Sequence, residues 1–138
     1  MVDFNFVEAN TPDFDSHIYI QILLAIAKSD KDNGPPEYTF VRRQARQLGV
    51  DYEHYYKITD KDFLLTPRKV SRLTALVIIK DAIALASLDG NFTLPEKQRI
   101  YTYAEKLDAT RSDVDALVNM VAEYYRIIEK WRALVRAK

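Results

Sequence analysis

Cysteine is absent from the 138 residues. That excludes disulfides, thiolate zinc sites, iron–sulfur clusters and cysteine nucleophiles, and it suits a reducing compartment. Three glycines and five prolines are too few for collagen, for a disordered linker or for a many-turned β-protein. Neither sign of charge is in excess. Twenty Lys and Arg balance twenty Asp and Glu, so no global field draws the chain to nucleic acid or to an anionic membrane. Long apolar runs are missing as well. The two most apolar stretches, residues 18–27 and 76–79, fall well short of the roughly 20 residues a spanning helix needs. The opening Met1-Val2-Asp3-Phe4-Asn5-Phe6 has no basic region followed by an apolar one, so no signal peptide is read. These absences lead us to expect a soluble, cytoplasmic protein with no direct membrane insertion.

What is present is an ordinary globular composition, 48% hydrophobic and 29% charged. The length suits a single domain over residues 1–138, and a chain of this size buries about 68–70% of its unfolded surface. The apolar residues recur at helical spacing. Thr11-Pro12-Asp13 reads as a helix start, with Phe14, Ile18, Ile22, Ala25 and Ile26 on one face. Pro35-Pro36-Glu37 starts a second helix that Gly49 ends. A short turn is expected near Tyr52–Lys57, then a polar connection over residues 59–66. Thr66-Pro67 repeats the start signal ahead of Val70, Leu73, Leu76, Val77, Ile78, Ile83, Ala84 and Leu88. This segment is apolar nearly all round, which places it at the centre of the fold. Thr93-Leu94-Pro95-Glu96 begins a further helix, and Ser112-Asp113-Val114-Asp115 begins the last, over residues 112–137. Its stripe is Val114, Leu117, Val118, Val121, Tyr125, Ile128, Trp131 and Val135, and such a stripe is read first as core. No segment alternates at period two. The predicted class is all-α, with about five main helices.

The chain also resembles itself. Shifted by 59 positions, residues 18–51 fall on 77–110 without a gap, and eight of thirty-four pairs are identical: Ile20/Ile79, Ala25/Ala84, Ala27/Ala86, Asp30/Asp89, Pro36/Pro95, Glu37/Glu96, Ala45/Ala104 and Leu48/Leu107. Each unit reads helix, acidic turn, helix. Two such hairpins around a pseudo-two-fold axis, with the long C-terminal helix added, would bury one another's apolar faces in a compact helical bundle.

The repeat keeps Asp30 with Glu37 and Asp89 with Glu96. The glutamates admit two readings. Each falls in the first turn of a helix, where a carboxylate gains about 0.3–1 kcal/mol from the dipole, and in Thr93-Leu94-Pro95-Glu96 it completes a capping box. The alternative is cation binding. The aspartates end helices, where negative charge is unfavourable. Either an Asx-turn offsets this, or a cation does, held by the aspartate, the returning glutamate and free carbonyls, with Asp32 as a further ligand. Such oxygen donors favour Ca²⁺, then Mg²⁺ or Mn²⁺. An EF-hand is excluded: counted from Asp30, position 6 is Pro35 and position 12 is Val41, and counted from Asp89, position 12 is Ile100. Asp81 sits among Val77, Ile78, Ala84 and Leu85. It is a satisfied core carboxylate, an arginine being one partner, or a third acid of the site. Its counterpart in the first unit is Ile22, so a site using it would be asymmetric.

Residues 83–97, Ile83-Ala84-Leu85-Ala86-Ser87-Leu88-Asp89-Gly90-Asn91-Phe92-Thr93-Leu94-Pro95-Glu96-Lys97, resemble the signature of TerB-like domains: an Ala-rich helix, Asp-Gly, five residues, Glu and a second helix. The first unit is similar, with Lys31 where the glycine would follow Asp30. The match covers residues 18–51 and 77–110. It implies an all-α bundle with pseudo-two-fold symmetry, related to proteins of tellurite resistance and stress response and to the TerB-like domain of membrane-anchored DnaJ-type co-chaperones. It further implies a divalent-cation surface made by Asp30, Glu37, Asp89 and Glu96, and other proteins of a stress-response system as partners.

The rival functions carry weaker signals. His17 and His54 have no companions for a triad or a zinc site, and no Gly-rich phosphate loop follows a strand, so no enzyme is expected. Arg42, Arg43 and Arg46, with Arg68, Lys69 and Arg72 and the tyrosines Tyr52, Tyr55 and Tyr56, offer charge and stacking for nucleic acid. They read more simply as solvated faces, and no nucleic-acid partner is expected. A metal-independent scaffold or dimerisation domain, with Tyr124, Trp131 and Leu134 of the last helix pairing two subunits as a homodimer, is the alternative function.

Overall fold

The computed structural model describes residues 15–29, 35–88 and 92–137. The described residues are all helix and connection: α1 (Ser16–Ser29), α2 (Pro35–Leu48), α3 (Tyr52–Ile58), α4 (Arg72–Ala86), α5 (Leu94–Lys106) and α6 (Arg111–Arg136). None of these helices is long and apolar enough to cross a membrane.

Two starts differ from the sequence reading, both because a nearer side chain caps better. α1 begins after Asp15, whose carboxylate accepts the Ile18 amide at 3.1 Å, and not at Thr11-Pro12; Thr11 to Phe14 lie outside the described residues. α4 begins after Ser71, whose hydroxyl accepts the Thr74 amide at 3.1 Å, and not at Thr66-Pro67. Residues 66–70 stay non-helical, and the Arg68 amide donates to the Lys106 carbonyl at the end of α5 (2.8 Å). The last helix starts one residue early, because Thr110 and Asp113 form a capping box ahead of Arg111.

α1 packs on α2, α4 on α5, and α1 on α4. Eight α1 residues and twelve of the fifteen in α4 are buried, so these two helices form the centre, as the all-round apolar pattern of α4 requires. α3 covers α1 and α2, and α6 covers α4 and α5. One buried cluster runs through every helix, from Tyr19 to Val121.

The helix ends repeat the 59-residue offset in their backbone. Gly49 and Asp108 both have positive φ, 70° and 61°. The Val50 amide returns to the Ala45 carbonyl and the Ala109 amide to the Ala104 carbonyl, each at 2.9 Å. This is a Schellman closure, and Val50, Ala45, Ala109 and Ala104 are all buried. Asp51 then caps α3, and Thr110 caps α6. Each closure is thus followed by a capped helix, the short α3 in one case and the long α6 in the other.

A glycine is at ease at φ 70°, whereas an aspartate, which carries a Cβ, is tolerated at 61° at some expense. Nothing lies within 4 Å of a methyl group built at Gly49, so Gly49→Ala tests backbone conformation alone. It is expected to lower unfolding free energy by about 1 kcal/mol, and Asp108→Gly to raise it by a few tenths, both by urea titration. Equal stability of Gly49→Ala and wild type would show that the closure is not under conformational strain.

Candidate functional site

The two hairpin turns carry the acids singled out by the repeat. Asp30, Asp32 and Asp89 lie outside the described residues, so the structure places the helix ends that flank them and the two returning glutamates. At the end of α1 the Ser29 hydroxyl donates to the Ile26 carbonyl, and after α4 the Ser87 hydroxyl donates to the Ile83 carbonyl, each at 2.8 Å. Some of the carbonyls expected to be open at these ends are thus already engaged by serine.

Glu37 and Glu96 occupy the first turns of α2 and α5. Their surroundings differ. Glu96 is half-buried, and its Oε1 accepts from the Thr93 amide at 2.8 Å and from the Thr93 hydroxyl at 2.9 Å, while the Thr93 oxygen accepts the Glu96 amide. This is the capping box predicted from Thr93-Leu94-Pro95-Glu96. Glu37 is 5% exposed. A carboxylate so enclosed must be held by charge or hydrogen bonds in place of water.

Asp81 is 8% exposed and is committed to the α1–α4 interface. Its Oδ2 accepts the Tyr19 hydroxyl at 2.7 Å, and its Oδ1 lies 3.0 Å from the Lys80 ammonium. Gln44 of α2 donates to the Tyr19 oxygen at 2.8 Å, extending the network across three helices. These partners are a tyrosine and a lysine, the tyrosine because α1 presents Tyr19 opposite this turn of α4. The adjacent Tyr125 donates to the Ala84 carbonyl at 3.0 Å. Burial, with Tyr124 and Asp81 nearby, pushes its phenol up to about 12. Lys80, 2% exposed, escaped the sequence reading. The available signal was a charged pair, Lys80-Asp81, inside a helix otherwise apolar all round.

Among the described residues no three of His, Asp and Glu converge on a point where they could hold a metal; Glu37, Glu96 and Asp81 are therefore not a trio. The hairpin acids that would complete either turn are the ones outside the described residues.

A groove of about 600 Å³ lies elsewhere, between the 62–67 segment and α5, lined by Phe63, Leu65, Pro67, Gln98, Tyr103 and Lys106. Its polar groups have structural work: Tyr103 donates to the Phe63 carbonyl at 2.8 Å, and Arg99 donates to the Lys61 carbonyl. They tie the α3–α4 connection to α5.

The arginine–tyrosine patch partly folds inward. Tyr52 is buried, with the Arg42 guanidinium 5.0 Å from its ring centre. Comparison with protein-family models, curated proteins and solved structures finds no match to this chain.

Proposed function

We propose that this protein is a TerB-like, non-enzymatic binding module of a stress-response or tellurite-linked system, built from two pseudo-two-fold-related hairpins whose acidic turns hold a divalent cation. The observation that carries the reading is the position of Glu37 and Glu96. Fifty-nine residues apart, they stand in the first turns of α2 and α5, and in the sequence each follows by seven positions an aspartate placed just after the preceding helix. Matching Schellman closures at the far ends of α2 and α5 support common descent of the two hairpins. In this reading Asp30 with Glu37, and Asp89 with Glu96, supply hard oxygen donors suited to Ca²⁺ first, then Mg²⁺ or Mn²⁺. The cation offsets the negative charge at two helix C-termini, orders the turns and presents that surface to a protein partner.

Thermal melts titrated with Ca²⁺, Mg²⁺ and Mn²⁺ test it, on wild type and on the double variant Asp30→Asn/Asp89→Asn. A ligand bound to the native state adds about 2.7 kcal/mol at 100 times its Kd, so the wild-type midpoint should rise with metal and that of the variant should not. A wild-type midpoint unmoved at millimolar metal would refute the cation part. The fold would then stand as a metal-independent scaffold, a reading that the apolar surface of α6 favours.

A further inference from the structure

α6 outruns the bundle it packs against. At 1.5 Å per residue its 26 residues extend about 39 Å, yet its fully buried residues stop at Val121 and its half-buried ones at Ile128. Residues 129–137 are all exposed, so the last two turns or so of the helix stand clear of the body. A solitary helical end of this length is marginal in water. This one carries Trp131, Leu134 and Val135 at 61%, 70% and 62% exposure, continuing a line from Met120 and Ile127 at 41% and 62%. Trp131 and Val135 were expected in the core; the bundle is too short to reach them.

The stripe has the register of a coiled-coil seam. Met120, Tyr124, Ile127, Trp131 and Leu134 alternate steps of four and three, as a and d positions do. On the flank beside the d positions stand Glu123 and Lys130, both exposed and, among the described residues, outside any ion pair within the chain. Seven residues apart, they give one edge of the stripe a negative and a positive end.

We infer that this stripe pairs with a second copy of itself, antiparallel about a two-fold axis near residues 125 and 126. In that register Ile127 of one copy meets the partner's Tyr124, and Trp131 meets the partner's Met120. Glu123 then faces the partner's Lys130, and the same pair recurs on the other side of the axis, as an isologous interface demands. A parallel pairing sets Glu123 against Ile128 and Lys130 against Val135 and leaves both charges without partners, so the charge pattern selects the antiparallel arrangement. The exposed apolar side chains amount to roughly 600 Å² per copy, against about 800 Å² per partner in a standard interface and the few hundred Å² that monomers commonly leave bare. Half-buried Tyr124 and Ile128 make up much of the difference. The inference is independent of the cation reading, since it uses none of the hairpin acids.

Sedimentation of the full chain over a concentration series is the test, with circular dichroism as the check that each variant stays helical. Wild type should be dimeric at about 100 µM, and Trp131→Glu should be monomeric there. Glu123→Lys alone and Lys130→Glu alone place like charges face to face and should weaken the dimer about tenfold. The combined exchange Glu123→Lys/Lys130→Glu restores opposite charges and should recover most of that loss. A monomeric wild type overturns the proposal; if removal of residues 1–14 then produces association, the chain's own N-terminal segment covers the stripe. A dimer indifferent to Trp131→Glu, or weakened charge variants that the double exchange fails to rescue, overturns it equally.

Discussion

Asp81→Ala will destabilise the protein by about 3–5 kcal/mol, the range for breaking a buried ion pair from one side. The Lys80 ammonium lies 3.0 Å from the carboxylate, on a side chain only 3% exposed. Removing the acid takes the neighbouring negative charge from a buried ammonium. It also takes the acceptor from the Tyr19 hydroxyl, which is itself bonded by Gln44. Three helices feel the change. The double variant Lys80→Met/Asp81→Leu removes both charges and should lie within about 2 kcal/mol of wild type or above it, because burying a charge pair is itself expensive. Tyr19→Phe deletes the hydrogen bond to the Asp81 carboxylate together with the one accepted from Gln44, and should cost at least about 1.5–3 kcal/mol. Equilibrium urea unfolding measures all three. An Asp81→Ala loss under about 1 kcal/mol would mean that the buried lysine does not depend on this carboxylate, and that the network is not a fixed part of the core.

The second large effect concerns packing. Ile20→Ala and Ile79→Ala will each cost about 2–5 kcal/mol, the range for truncating a buried aliphatic side chain to alanine. The two isoleucines are 0% and 1% exposed and occupy matching places, 59 residues apart, on the two central helices. Their costs should agree to within about 1 kcal/mol if the two helices have equivalent surroundings, since the cavity term depends on how far each site can collapse. Denaturant midpoints at unchanged slope give the comparison. A loss below 1 kcal/mol at either site would contradict its place in the core.

The acids illustrate what a sequence alone can say about a site. Glu96 was legible as a cap because Thr93 and Pro95 surround it with local start signals, and the capping box is local chemistry. Asp81 was legible as buried because its helix neighbours are apolar. Its partners were not, since Tyr19 is 62 residues away along the chain and only the crossing of α1 over α4 brings it near. Lys80 is harder to read because adjacent residues on a helix point in different directions, so that only its place in a helix apolar all round marks it as buried. Thr66-Pro67 and Thr11-Pro12 misled because a threonine before a proline is a start signal in general, while the caps chosen, Ser71 and Asp15, lie nearer the first buried residues of each helix.

Helical class, the succession of helices, the central place of α4 and the 59-residue echo were all determined by the order of residues. Each depends on periodicity and on end-capping groups within a few positions of one another. Tertiary structure decided the rest. It chose which helix starts prevailed, which groups neutralise Asp81, and where along α6 an amphipathic stripe ceases to be interior. The same apolar spacing runs through Val121 and Trp131, yet one is 1% and the other 61% exposed. Burial depends on what stands opposite, and α4 and α5 come to an end before α6 does.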